Sequence, residues 1–269
     1  MADNHDQAYP FVSIYTITYR QKQRVQKTVG DLLRLDYPAD RYEIIVLDDG
    51  SGDGSYEALC DLAADAAVRI KVLQTRHEAD YLSARRWNQC IAAANPASTI
   101  FIQIDDVWTR PDFIKAHLRW HRLPEEHLVT GAKFEGDHET WELSACQRKI
   151  LASQDSGAAP CNFLAVWGAS MSFTRRMAAR VAQEPYDRPY DERMVGWGFQ
   201  EVELAYRMQI AGARLVYDPA AGVFHPNHTR ETEQARGLDR EALVDKGFSQ
   251  NERYVVQKHS IESLPWWKA

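Results

Sequence analysis

Two aspartates stand side by side in "FIQIDDVW", residues 101–108, where β-prone residues run into Asp105 and Asp106. Hard carboxylate oxygens at a strand end suit Mg2+ or Mn2+. Such an ion acts as a Lewis acid toward a diphosphate. A solvated strand end before Pro111 is the plain alternative. If the strand persists, the two acids point to opposite sides, so one of them faces the ion. A second acid pair, Asp48 and Asp49, precedes Gly50 and Ser51. A carboxylate there can accept hydrogen bonds from a base or ribose, and the glycines admit close backbone approach. An Asp/Gly turn without a ligand has the same residues. In "SARRWNQCIAAA" (83–94), Arg85 and Arg86 are suited to phosphate oxygens, and Asn88 to a loop or a ribose. The alternative is a solvated helix face that buries Ile91 and Ala94.

The segment "GWGFQEVELAYRM" (196–208) carries the most chemistry. Gly196 and Gly198 flank Trp197, a tight turn that presents an indole platform for a sugar ring. A helix beginning near Phe199 places Glu201 in its first turn, where the helix N-terminus keeps a carboxylate ionised and able to accept a proton. Glu203 and Arg207 form an i, i+4 pair of structural character. "FHPNH" (224–228) offers His225 and His228, either of which can complete a metal shell begun by Asp105.

These groups need a frame. "FVSIYTITY" (11–19), "YEIIVLDDGS" (42–51), "RIKVLQT" (69–75) and "STIFIQIDD" (98–106) are continuous apolar runs. Between them, residues 21–35, 55–67 and about 82–94 read as helices, with another over 111–121. Continuous apolar strands alternating with helices describe a parallel sheet covered on both faces. Ligands in such sheets bind outside the strands' carboxyl ends, where both acid pairs fall. In the second half, 127–136 reads as a strand, and 137–165 as loop and short helix. Residues 166–182 read as a strand entering a helix, 199–212 as a helix and 213–228 as a strand pair. A polar helix follows 230. No linker or repeat divides the chain. A single domain over 1–269 is expected, with a first half (about 9–125), an elaborated second half (about 126–228) and an extension (229–269).

The 269 residues carry a formal charge of -6, which argues against a general nucleic-acid binder. No apolar run reaches the ~18 residues of a membrane span. The N-terminus "MADNHDQAYP" lacks the features of a secretory signal. Cys60, Cys90, Cys146 and Cys161 are too scattered for a zinc site or a disulfide framework. A cytoplasmic protein with reduced thiols is the expectation.

Taken in order, these motifs resemble the family-two glycosyltransferases of GT-A fold. "VSIYTITYRQKQRVQKTVGDLL" is similar to the opening strand and helix, "YEIIVLDDGSGDGS" to the nucleotide-binding strand end, and "RRWNQCIAAA" to the helix after the third strand. "IFIQIDDVWTRPDFI" resembles the strand that bears the DxD motif. "WGASMSFTRRM" and "YDERMVGWGFQEVELAYRM" are similar to the acceptor side of these enzymes and of the animal galactosyltransferases. The resemblance implies an α/β, Rossmann-like, mostly parallel sheet with helices on both faces and an elaborated C-terminal acceptor half. It implies inverting transfer from a nucleotide diphosphate sugar, a UDP-sugar favoured, with Mn2+ or Mg2+, to an acceptor on a small molecule or peptide.

On this resemblance, Asp49 contacts the base, and Asp48 or the segment from Thr16 to Tyr19 lies beside the nucleoside. Arg85, Arg86 and Asn88 complete the donor site. Asp105 is the metal-facing member of DxD, with His225 or His228 as a further ligand. Glu201 is the base, and Trp197, Gly198 and Gln200 border the sugar or acceptor. Two departures stand out. The DxD reads Gln103-Ile104-Asp105, so an amide takes the ribose-side position, and the usual Glu-Asp pair reads Gln200-Glu201. A catalytically silent sugar-nucleotide binder and a retaining transferase are the alternatives. A nucleotidyltransferase ranks last, because no Gly-rich phosphate loop followed by Lys is present near the N-terminus.

Overall fold

The computed structural model describes residues 9–78, 80–136, 140–150, 158–227 and 240–261. Strands β1 (Val12–Thr18), β2 (Tyr42–Asp48), β3 (Arg69–Gln74) and β4 (Ile100–Ile104) are parallel and lie in the order β3-β2-β1-β4. Helices α1 (Lys22–Leu32), α2 (Ser55–Asp65) and α3 (Ser83–Ala93) form the crossovers. Helix α4 (Phe113–His121) follows β4. Beyond β4 the sheet becomes mixed. Strand β8 (Ser170–Thr174) pairs antiparallel with both β4 and β5 (His127–Gly136), and β9 (Arg214–Pro226) pairs parallel with β5. Two short strands, β6 (Trp141–Leu143) on β5 and β7 (Ala159–Pro160) on β9, complete nine strands in one sheet. Helix α5 (Ala145–Ile150) lies between β6 and β7, and α6 (Arg175–Arg180) follows β8.

The sequence over 213–228 reads as a strand pair, but the structure has one long strand. Residues 219–222, "PAAG", form a bulge where the β5–β9 register jumps from Gly131↔Asp218 to Lys133↔Val223. Continuous pairing with β5 on both sides keeps the chain from reversing. Gly131 makes this possible, since a Cβ there would lie 1.9 Å from the Ala221 carbonyl oxygen.

Side chains alternate across a strand, so each strand feeds two cores. Ile14, Ile44 and Ile102 face one side, with Val25 and Val29 of α1, Leu59 of α2 and Ile114 of α4. Tyr15, Ile45 and Phe101 face the other, with Trp87 of α3, Met177 of α6, and Leu204 and Met208 of α7 (Gln200–Ile210). The same parity puts Gln103, which is opposite Tyr15 in register, on the α7 side.

Helix α8 (Arg240–His259) is tied to α7 and the loop before it. Glu203, fully buried on α7, accepts from Arg207 at 2.8 and 2.7 Å, from Lys258 at 2.6 Å and lies 3.0 Å from His259. Lys258 also donates to Asp191 at 2.7 Å, and Asn251 to the Gly198 carbonyl at 2.9 Å. Gly247 fits against Trp197 so closely that a Cβ would lie 2.5 Å from the Trp197 nitrogen. The thiols of Cys60, Cys90 and Cys161 are free, and the Cys146 side chain is outside the described residues.

Burial alone would raise the Glu203 carboxyl. The bonds from His259 and Arg207 outweigh it and hold the pKa at about 2, below the ordinary 4.5. A carboxylate with a depressed folded pKa stabilises above its unfolded value and loses that contribution as pH falls through the folded one. Glu203→Gln therefore costs about 3–5 kcal/mol at pH 7, because it leaves buried cations unpaired. The difference in melting temperature from the parent protein narrows as pH drops from 4.5 toward 2.

Candidate active site

The candidate residues gather at the carboxyl ends of β1, β2 and β4, the rim called the crevice. At its β2 end, Asp49 is held by three side chains. Arg86 Nε donates to Oδ1 at 2.6 Å and Thr75 Oγ1 at 2.9 Å, while His77 Nδ1 lies 2.9 Å from Oδ2. The His77 ring stacks on Tyr19 with centroids 3.9 Å apart. Gly50 lets this loop close, with φ +70° and only 2.6 Å between a built Cβ and the His77 nitrogen. Asp48 is fully buried and caps the turn, accepting from Ser51 and from Gln74 at 3.3 Å. Thr16 is buried within β1, and Ile104 belongs to the core below the crevice.

Neither arginine of α3 is loose. Arg86 is committed to Asp49 and Glu78, and Arg85 lies 3.5 Å from Glu78 and Glu192. Asn88 uses both ends of its amide on the Tyr190 backbone, at 2.9 and 3.0 Å, so it holds a loop.

At the β4 end, no hydrogen bond or ion pair from the described residues reaches the Asp105 carboxylate. Burial and the neighbouring Asp106 push its pKa up, while Lys133 and His225 pull it back. Asp106 pairs with Arg24 at 3.0 Å and lies 3.4 Å from His225 Nε2. Arg24 also binds the Pro226 carbonyl at 3.0 Å, so it fastens the histidine loop to the acid. His228 lies outside the described residues. Lys133, which no motif marked, enters here from β5, just past the point where the register with β9 shifts. Its backbone N–H donates to Gln147 at 2.7 Å, and its ammonium lies 2.9 Å from Glu135 and 5.9 Å from the centre of the Trp167 ring. Among the described residues no group of three or more His, Cys, Asp or Glu side chains is assembled for a metal. A half-buried carboxylate with no partner among the described residues, beside an imidazole, nevertheless fits a divalent cation in donor chemistry.

Between these ends stands Glu201, in the first turn of α7. The turn before it uses positive φ at Gly196 (90°), Gly198 (101°) and Phe199 (71°). Trp197 is 38% exposed beside it. Gln200 donates to the Gly196 carbonyl at 2.6 Å, and its buried Oε1 has no partner. Glu201 Oε1 accepts from Gln103 Nε2 at 3.3 Å. Gln103 Oε1 in turn accepts from the Tyr190 hydroxyl and, at 3.3 Å, from Tyr15. Both phenols are raised well above their ordinary pKa by burial and stay donors. They orient the amide with its nitrogen toward Glu201. Gly168 lies against the pair, and a Cβ there would be 2.1 Å from Glu201 Oε1 and 2.3 Å from Gln103 Nε2.

One expectation is corrected here. The helix N-terminus does not keep Glu201 ionised. Burial, followed by the charge of Asp105, raises its pKa to about 8, and the bonds from its own backbone and from Gln103 only partly offset them. A group with this pKa exchanges a proton near neutral pH, where a general base is most effective.

Solved structures of similar shape belong to the GT-A class of glycosyltransferases. Mannosyltransferase PcManGT from Pyrobaculum calidifontis, in complex with GDP-Man and Mn2+, matches with a TM-score of 0.68 at 18% identity, over 91% of this chain and 64% of its own. TarS from S. aureus in complex with UDP-GlcNAc matches with a TM-score of 0.62 at 10% identity, over 83% and 60%. At these identities the likeness is one of fold. The family model "Glycosyl transferase family 2" matches residues 13–181, and the chain belongs to that family. The galactosyltransferase-like segment at 196–208 lies beyond the matched residues. Glycosyltransferase AglE of Haloferax volcanii is 38% identical over 48 residues, 18% of this chain and 16% of its own length. Putative cellulose synthase 2 of Komagataeibacter xylinus is 28% identical over 113 residues, 42% and 7%. The chain thus aligns with a small part of these relatives.

Gly168→Ala is expected to lose about 1–3 kcal/mol by overpacking. Thermal unfolding should show this. Gly52→Ala is the control, where a Cβ meets nothing within 4 Å and only the φ of +64° is strained.

Proposed function

We propose that the protein transfers a sugar from a nucleotide diphosphate sugar, a UDP-sugar favoured, to a hydroxyl of a small molecule or peptide, with inversion. The observation that carries this reading is the meeting of Glu201 with the DxD-position residues at one crevice. Asp49, steadied by Arg86, is the contact for the base, and the segment from Thr16 to Tyr19 lies beside the nucleoside. Trp197 supports the sugar or acceptor. The acceptor oxygen attacks the anomeric carbon while its proton passes to Glu201. The bond from that carbon to the diphosphate oxygen breaks, and the diphosphate leaves with the electron pair. Lys133 supplies positive charge at the leaving group. One unit pair at ~4 Å and an effective dielectric near 20 is worth roughly 4 kcal/mol. Asp105 and His225 would hold a divalent ion, Mn2+ or Mg2+, which would act as a Lewis acid on the diphosphate. No helix among the described residues is long and apolar enough to cross a membrane. A cytoplasmic site of action and one domain over 1–269 belong to the same proposal. A silent sugar-nucleotide binder is the second reading, favoured by amides at 103 and 200.

A thermal-shift screen of nucleotide sugars, with and without Mn2+, reads donor base and metal demand together. With the donor it selects, Glu201→Gln should lower turnover by about 10²–10⁴-fold while donor affinity holds. Unchanged turnover would remove Glu201 from its role, and no turnover in the parent protein would favour the silent binder. In the same assay Asp105→Ala should abolish the extra stabilisation by Mn2+. If only Gln103→Ala did so, the register of the motif would be wrong.

A further inference from the structure

The family resemblance gives position 103 to the ribose. The structure points elsewhere. Gln103 is fully buried on β4, and its amide oxygen already accepts from two phenols. An amide oxygen has two lone pairs, so no acceptor remains for a ribose hydroxyl. One of its two N–H groups donates to Glu201, which leaves a single N–H as the group a ribose oxygen could still use. We propose that Gln103 is a positioning residue for Glu201, held in place by Tyr15 and Tyr190, and that it contributes little to nucleotide affinity. This inference rests on the role proposed for Glu201.

The geometry explains why an amide stands here. A carboxylate at 103 would lie about as close to Glu201 as the 3.3 Å now separating Nε2 from Oε1. Two acids at that distance share a proton and cannot both ionise. The amide gives the contact without the second charge. It engages Oε1 and leaves Oε2 for the acceptor's proton. Gly168 closes the other side and leaves room for neither side chain to retreat past it. The chain of contacts continues outward. The Tyr190 hydroxyl lies 3.2 Å from that of Tyr15, and the Tyr190 backbone is gripped by Asn88 of α3. The Trp87 ring, also of α3, lies 5.0 Å from the Tyr190 ring. Helix α3 therefore connects Asp49, through Arg86, with Glu201, through Asn88, Tyr190 and Gln103.

The test compares the parent protein with Gln103→Leu, Tyr190→Phe, Glu201→Gln and the Gln103→Leu/Glu201→Gln double variant. The readouts are UDP affinity in Mn2+, single-turnover hydrolysis of the donor chosen by the screen, and melting temperature. Gln103→Leu should lower the hydrolysis rate by about 10-fold or more, as expected for loss of an oriented catalytic group. Its UDP affinity should stay within about threefold of the parent's. Tyr190→Phe should shift the rate the same way by less. The double variant should be no slower than Glu201→Gln, because a residue acting through another is non-additive with it. A ribose contact predicts the reverse, weaker UDP binding with an unchanged rate, and that result overturns the proposal. So does a double variant whose losses multiply. Melting temperatures of the parent, Gln103→Leu, Glu201→Gln and the double variant form a cycle that reads the contact without substrate, and strict additivity there also contradicts it. Non-additive melting with no donor turned over would show that the functional reading had failed while the contact stood.

Discussion

A half-buried carboxylate beside the carboxyl end of an interior strand is the constraint on which this molecule turns. Glu201 sits where burial and the charge of Asp105 both favour its neutral form. Its placement depends on two matters of geometry. The parity of β4 sends Gln103 toward α7, and the turn through Gly196, Gly198 and Phe199 delivers the first residues of α7 to meet it. The rest of the second half serves that meeting. Glu203, two residues on and on the opposite side of the helix, is anchored by Arg207 from its own helix and by Lys258 from α8. Asp191, Tyr254 and Lys258 bind the preceding loop to the same helix. The C-terminal helix thus acts as a brace for the segment that carries Trp197 and Glu201.

Charge is arranged unevenly along the crevice. At the β2 end every acid has a partner, with Asp49 on Arg86 and Asp48 on Ser51 and Gln74. That end is already ordered and can receive a neutral base and ribose without new counter-charge. At the β4 end Asp106 is neutralised by Arg24, whereas among the described residues Asp105 has the fields of Lys133 and His225 and no ion pair. An unpaired buried acid beside a lysine is a poor place for an uncharged group and a suitable one for a cation with a diphosphate. The gradient from paired to unpaired acids gives this rim of the sheet a direction, which supports the proposed placement of the base at one end and the phosphates at the other.

Much of the frame was legible because it depends on periodicity alone. The continuous apolar runs at 11–19, 42–51, 69–75 and 98–106 became parallel strands, and the acids after them fell at the carboxyl ends. Glu201 fell in the first turn of a helix, as its distance from Gly198 required. What was hidden depends on partners distant in sequence. Nothing near Arg86 announces that Asp49 will claim it, and nothing in "GAKFEG" marks Lys133, which meets Asp105 only through the pairing of distant strands. The same bulge turned an expected strand pair into one strand. The proton on Glu201 was misjudged because a helix N-terminus is a local feature, whereas the desolvation that overrides it is tertiary.

The central claim is that Glu201 receives the proton of an acceptor that displaces the diphosphate in one step. A single displacement reverses the configuration at the anomeric carbon. Proton NMR of the product formed from the donor, read at the anomeric resonance before mutarotation, tests this directly. The account predicts a coupling constant of the anomer opposite to that of the donor. A product with the donor's own configuration would contradict it.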